Sequence, residues 1–151
     1  MWKTRGFSLL DLMVTLVVAS ILVAVSIPAY DMFVQRAYVA RAIGDIGKIS
    51  LEIEMFRLRN NDRIPLALNE LPTPVPLDPW GRPYSYLNIP SVLPNKGPLR
   101  KDKNLNPLNT DFDLYSTGKD GSSAGPLSAK ASRDDIIRAN DGAFFGLGKD
   151  Y

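Results

Sequence analysis

The sequence predicts an α+β protein: a long N-terminal α-helix, part membrane span and part amphipathic, followed by a small antiparallel β-sheet head with extended loops. Three observations lead there. From Phe7 to Ile27 the only residues that are neither apolar nor small are Asp11 and the hydroxyl-bearing Ser8, Thr15, Ser20 and Ser26. Between Val39 and Phe56 the apolar residues Val39, Ala42, Ile43, Ile46, Ile49, Ile53 and Phe56 recur mostly at intervals of three and four, the period of one helix face. Eleven of the twelve prolines lie at Pro65 or later, where continuous helix must give way to short strands and loops. The expected divisions are residues 1–6, a basic leader; 7–29, the span; 30–60, the amphipathic helix; and 61–151, the head.

Composition narrows the function. A chain of 151 residues is enough for one small domain, and its formal charge of +2 comes without any Lys/Arg cluster interleaved with aromatics, so no nucleic-acid partner is expected. There is no cysteine, which excludes disulfides and thiolate metal sites. There is no histidine either, which removes the commonest general base and the usual catalytic triads. Asp111 and Asp113 alternate along a strand and Asp134 and Asp135 are adjacent, but no pocket or polarising partner accompanies either pair, so no enzyme is expected.

The 21 residues from Phe7 to Ile27 make a helix of roughly 31 Å, close to the ~30 Å hydrocarbon core of a bilayer. Lys3 and Arg5 before it keep the N-terminus in the cytoplasm and send the chain after Tyr30 to the other side. A cleaved secretory signal has a shorter apolar core, about 7–15 residues, and a better small-residue site than Ser26-Ile27-Pro28-Ala29. Ser8-x-x-Asp11 before an apolar run is a helix start of capping-box type, with Asp in place of Glu or Gln. Pro28 removes one helical hydrogen bond and crowds the preceding turn, so a kink or local melting is expected there.

The run Arg5-Gly6-Phe7-Ser8-Leu9-Leu10-Asp11-Leu12 resembles the processing signal of type IV prepilins and pseudopilins: a short basic leader ending in Gly, then Phe, then a helix with an acid five places into the mature chain. The resemblance implies cleavage between Gly6 and Phe7 by prepilin peptidase and methylation of the new Phe7 amine. It implies further that Asp11, one methylene shorter than the family's usual Glu, neutralises the N-terminal amine of a neighbouring subunit inside a filament. Both the capping and the assembly role of Asp11 stay open. Loss of Lys3 and Arg5 with the leader takes the formal side-chain charge from +2 to zero.

Charged residues Arg41, Asp45, Lys48, Glu52 and Arg59 occupy the side of the second helical half opposite its apolar face, and the helix is expected to end near Asn60-Asn61-Asp62, before Ile64-Pro65. Span and amphipathic half together give about 50 helical residues, or roughly 75 Å. Outside a bilayer the apolar half is buried only by other helices of its kind, which points to a helical filament.

In the head, Asp78-Pro79-Trp80-Gly81-Arg82-Pro83-Tyr84 predicts a tight turn into a strand at Tyr84–Leu87, with Trp80 as a packing anchor. This turn resembles that of the major pseudopilins of type II secretion systems. Residues 88–109, proline-rich and aperiodic, read as a long loop, and Phe112, Leu114 and Tyr115 as a second strand. Asp120-Gly121 is by itself a hairpin turn, but with Asp134-Asp135-Ile136 it also supplies acidic groups for an oxygen cage. A turn of this kind followed by Asp-Asp-Ile resembles the calcium-binding loop of major pseudopilins. That resemblance implies a calcium ion held by the side chains of Asp120, Asp134 and Asp135 and the Thr117 carbonyl, with Ser128 and Ser132 as substitutes. Ala139–Gly142 reads as another turn and Ala143–Phe145 as a final strand or packed tail.

Taken together, the resemblance implies a structural subunit of a periplasmic pseudopilus for type II secretion, processed at the inner membrane. Its implied partners are copies of itself, minor pseudopilins, prepilin peptidase, and the inner-membrane assembly platform with its ATPase. The alternatives are a type IV pilus subunit for adhesion, twitching or DNA uptake, and a membrane-anchored, calcium-dependent binding module that never polymerises.

Overall fold

The computed structural model describes residues 8–103 and 105–151. The first element is helix α1, Leu9–Arg59. The Ser8 hydroxyl accepts the Leu10 N–H at 3.3 Å while the Asp11 carboxylate accepts the Ser8 N–H at 3.2 Å, so the first turn is closed reciprocally as the capping pattern requires. Pro28 lies within α1 and does not interrupt it. Local melting is therefore not found, because one missing donor leaves the bonds of the neighbouring turns to carry the helix through. The helix ends at Arg59, one residue short of the expected Asn60–Asp62 stop, where Asn61 and Asp62 adopt φ of 53° and 66°. Asn and Asp tolerate that left-handed region better than other side chains do.

The chain divides into two compact units, one running through Ala37 and one covering Tyr38–Tyr151. In the first, every described residue up to Phe33 is exposed, including Leu9, Leu16, Ile21, Leu22 and Ile27. By length and composition this segment can cross a membrane.

The second unit combines the C-terminal part of α1 with four strands, β1 (Ser85–Asn88), β2 (Phe112–Ser116), β3 (Ile136–Ala139) and β4 (Phe144–Leu147), and a short helix α2 (Ile89–Val92). The strands form one antiparallel sheet in sequence order, with Tyr86 opposite Leu114, Tyr115 opposite Ile137 and Arg138 opposite Phe145. Because consecutive side chains of a strand point to opposite faces, each strand serves two layers. One face, with Tyr86, Phe112, Leu114, Ile136, Phe145 and Leu147, packs on Ala42, Ile46, Ile49 and Ile53 of α1. These four helix positions advance by four, three and four residues and so share one stripe. Burying each isoleucine stabilises the unit by about 1.5–3 kcal/mol. The other face, with Tyr115, Ile137, Ala139 and Phe144, is covered by Leu108, Leu127 and Tyr151.

Two expectations are corrected by this second layer. The stretch 88–109 is not simply a loop: it contains α2, buries Leu99, Arg100, Leu108 and Asn109, and pairs Lys101 with Pro126. Strand β3 escaped the sequence reading altogether. All four of its residues are buried, so the alternation of apolar and polar that marks a half-exposed strand is missing from Ile-Ile-Arg-Ala. The first strand is shifted by one residue from Tyr84–Leu87, the second lies at the expected place, and the last is a strand that starts one residue after the expected Ala143–Phe145 and runs on to Leu147.

Candidate functional site

Gly6 and Phe7, the expected processing residues, lie outside the described residues. Asp11 is within them, engaged in the cap.

In the head, the turn after Asp78 is tied to the end of β2. The buried Asp78 carboxylate accepts the Trp80 and Arg82 N–H groups at 3.1 and 2.8 Å with one oxygen and the Ser116 hydroxyl at 2.6 Å with the other. The Gly81 N–H closes the turn on the Asp78 carbonyl at 2.9 Å, and Gly81 has a φ of 85°, which favours glycine. Trp80 packs edge-on against Tyr38, ring centres 5.9 Å apart, and joins the core, as an anchoring role requires. The Arg82 guanidinium reaches across to donate to the Gly118 carbonyl.

Beyond Ser116 the chain turns through Thr117–Gly121. Gly118 has a φ of 64°, and a Cβ there would collide with the Asp134 backbone, so this glycine is required by the closure of the loop on itself. The expected calcium ligands Asp120 and Asp134 fall at this closure. The Asp134 carboxylate accepts the Asp120 N–H at 2.9 Å, and the Asp120 carboxylate accepts the Ser122 N–H at 2.8 Å. At Thr117, expected to offer its carbonyl, the side-chain hydroxyl is buried without a partner. Ser132, one of the two suggested substitutes, has its hydroxyl committed to both the N–H and the carbonyl of Ala124; Ser128 is exposed.

Asp135 makes its hydrogen bonds with other partners. It is fully buried; one oxygen pairs with the Arg100 guanidinium at 2.7 Å and accepts the Ser123 hydroxyl at 2.6 Å, while the other oxygen is buried without a partner. Burial pushes the Asp135 carboxyl up, against the Ser123 hydrogen bond and the Arg100 charge, which favour its ionised form. Among the described residues no three acidic groups gather as a metal cage, whereas calcium takes 6–8 oxygens. On the expected set, a divalent cation drawing on Asp135 would meet the buried Arg100 guanidinium, a charge of like sign.

A second buried arginine, Arg138 of β3, joins the sheet to the helix. It forms a bidentate pair with Asp111 at 2.6 and 2.8 Å, donates to the Phe112 carbonyl at 3.1 Å and the Ser50 hydroxyl at 3.1 Å, and stacks on the Phe112 ring at 3.9 Å. Neither arginine had a sequence signal. Each sits in a run without periodicity, and the hydrogen-bond partners of its guanidinium lie 26 to 88 positions away for Arg138 and 23 to 35 for Arg100.

Type II secretion system core protein G of Pseudomonas aeruginosa is 33% identical over 143 residues, covering 82% of this chain and 89% of that protein. The chain belongs to the type II secretion system core protein G family. Core protein G of Escherichia coli K12 is 29% identical over 140 residues, 79% of this chain and 84% of its own length. Type IV major fimbrial protein FimA of Dichelobacter nodosus is 34% identical over 50 residues, 33% of this chain and 32% of its own. The long likeness to core protein G proteins and the short one to a fimbrial protein match the two levels of resemblance in the sequence. No family model matches the chain, and no solved structure matches it.

Proposed function

We propose that this core protein G is the structural subunit of a periplasmic pseudopilus, held in the inner membrane by the N-terminal half of α1 before assembly and packed through that half against other copies afterwards. The observation that carries the reading is the uncovered apolar helix. From Leu9 to Ile27 its large side chains are exposed along every face, so a bilayer or neighbouring helices must cover them. Relatives named core protein G over most of the chain favour the secretion filament over a type IV pilus, since the fimbrial likeness spans only a third of it. Prepilin peptidase, minor pseudopilins and the assembly platform with its ATPase are the partners this reading implies.

Two experiments test it. In cells with an active prepilin peptidase, intact-mass analysis of the membrane-extracted protein is expected to give a chain beginning at methylated Phe7. Finding only full-length protein overturns the assembly reading. In the same cells, Asp11→Ala is expected to insert normally but to lower filament yield by about an order of magnitude, the tenfold that 1.4 kcal/mol of lost subunit contact produces, whereas Asp11→Glu assembles. Normal filaments from Asp11→Ala would leave the cap on Ser8 as the whole role of that carboxylate.

A further inference from the structure

The connection from β2 to β3 carries the acidic residues Asp120, Asp134 and Asp135, and the cation that meets Asp135 in this chain is a side chain. Arg100 comes from the proline-rich stretch between β1 and β2, and several bonds fix its backbone. Its N–H donates to the buried Asp113 carboxylate at 3.0 Å, and its carbonyl accepts the Leu108 N–H at 2.8 Å. The next residue, Lys101, donates to Gly125 at 3.0 Å and accepts from Leu127 at 2.9 Å, so this stretch is laced directly to the acidic loop.

From that fixed backbone the guanidinium passes over the Tyr115 ring, 4.1 Å from its centre, and ends between two parts of the loop. One nitrogen donates to the Ser123 hydroxyl at 2.7 Å and another to Asp135 at 2.7 Å, and Ser123 closes the triangle on Asp135. Asp135 immediately precedes β3, and Ser123 follows the turn after β2. The triangle therefore holds together the two ends of the connection that a loop-closing metal would otherwise have to join. Arginine suits this position because its planar fork serves two acceptors while its face stacks on an aromatic ring, and it stays charged when buried. With Arg100 only 4% exposed and Asp135 fully buried, neither charge is satisfied by water, and each depends on the other.

We propose that Arg100 is the resident cation of this head, closing the 117–135 loop onto Asp135 and Ser123 in place of calcium, and that the folded head is consequently insensitive to calcium. The assignment does not depend on whether the chain builds a pseudopilus, and its test uses no filament.

The test is thermal unfolding of the full chain in detergent micelles, followed by near-ultraviolet circular dichroism, in saturating calcium and in chelator. The unmutated protein is expected to melt at the same temperature in both, and Arg100→Met to melt about 10 °C lower in both. The double variant Arg100→Met/Asp135→Leu, which removes both charges, is expected to recover most of that loss, and Arg100→Lys to lose less than Arg100→Met. A melting temperature of the unmutated protein that rises with calcium and falls with chelator overturns the proposal, even if Arg100→Met cannot be purified folded. Losses that simply add in the double variant overturn it as well, since the two side chains would then be uncoupled.

Discussion

Arg138→Met is expected to destabilise the head by about 3 kcal/mol, the low end of the cost of breaking a buried ion pair, because Asp111 is part-exposed. Arg138 is 3% exposed and holds both oxygens of Asp111, the Phe112 carbonyl and the Ser50 hydroxyl. Methionine fills much of the space along the Phe112 ring but donates nothing, so Asp111 keeps a charge that the protein no longer balances. The loss is a large part of the roughly 5–15 kcal/mol that stabilises a typical domain. Denaturant unfolding read from the near-ultraviolet signal checks it. The double variant Arg138→Met/Asp111→Leu should recover a substantial share, because removing both charges abolishes the unpaired one. A single-variant loss below about 1 kcal/mol would place the pair among the weak surface bridges instead.

Asp78→Ala is expected to cost a similar amount, about 3–5 kcal/mol, through unmade hydrogen bonds rather than an unpaired charge. One small carboxylate serves the Trp80 N–H, the Arg82 N–H and the Ser116 hydroxyl, and alanine leaves all three without an acceptor. The turn would loosen at the point where Trp80 enters the core beside Tyr38. Asp78→Asn is expected to lose much less, because its amide oxygen can keep the two backbone donors and its amide nitrogen can donate to the Ser116 oxygen. Comparison of the two variants by thermal unfolding in micelles checks this. Equal melting temperatures for Asp78→Ala and the unmutated protein would show that the turn holds without its side chain.

Periodicity in the sequence settles the helix. A run of 21 residues from Phe7 to Ile27 broken by a single charge, followed by apolar residues every three or four positions, can bury its surface in only a few ways. The buried stripe of Ala42, Ile46, Ile49 and Ile53 coincides with the face that spacing alone defines. The first cap, the turn after Asp78 and three of the four strands were likewise legible, because each depends on residues within a few positions of one another.

The second layer of the head was not legible, and with it went the chemistry of the acidic loop. Whether Ile136–Ala139 is a strand depends on what covers both its faces, and that covering comes from Leu108, Leu127 and Tyr151. Whether Asp135 faces a metal or an arginine depends on where a proline-rich stretch docks some 35 residues upstream. Sequence spacing can bring acidic residues near one another, but it carries no record of a cation delivered from elsewhere in the chain. The local code determined the helix, its apolar stripe and the turns of this protein; the tertiary fold alone decided that the buried charge of Asp135 is answered by Arg100, because burial makes the nearest available opposite charge decisive.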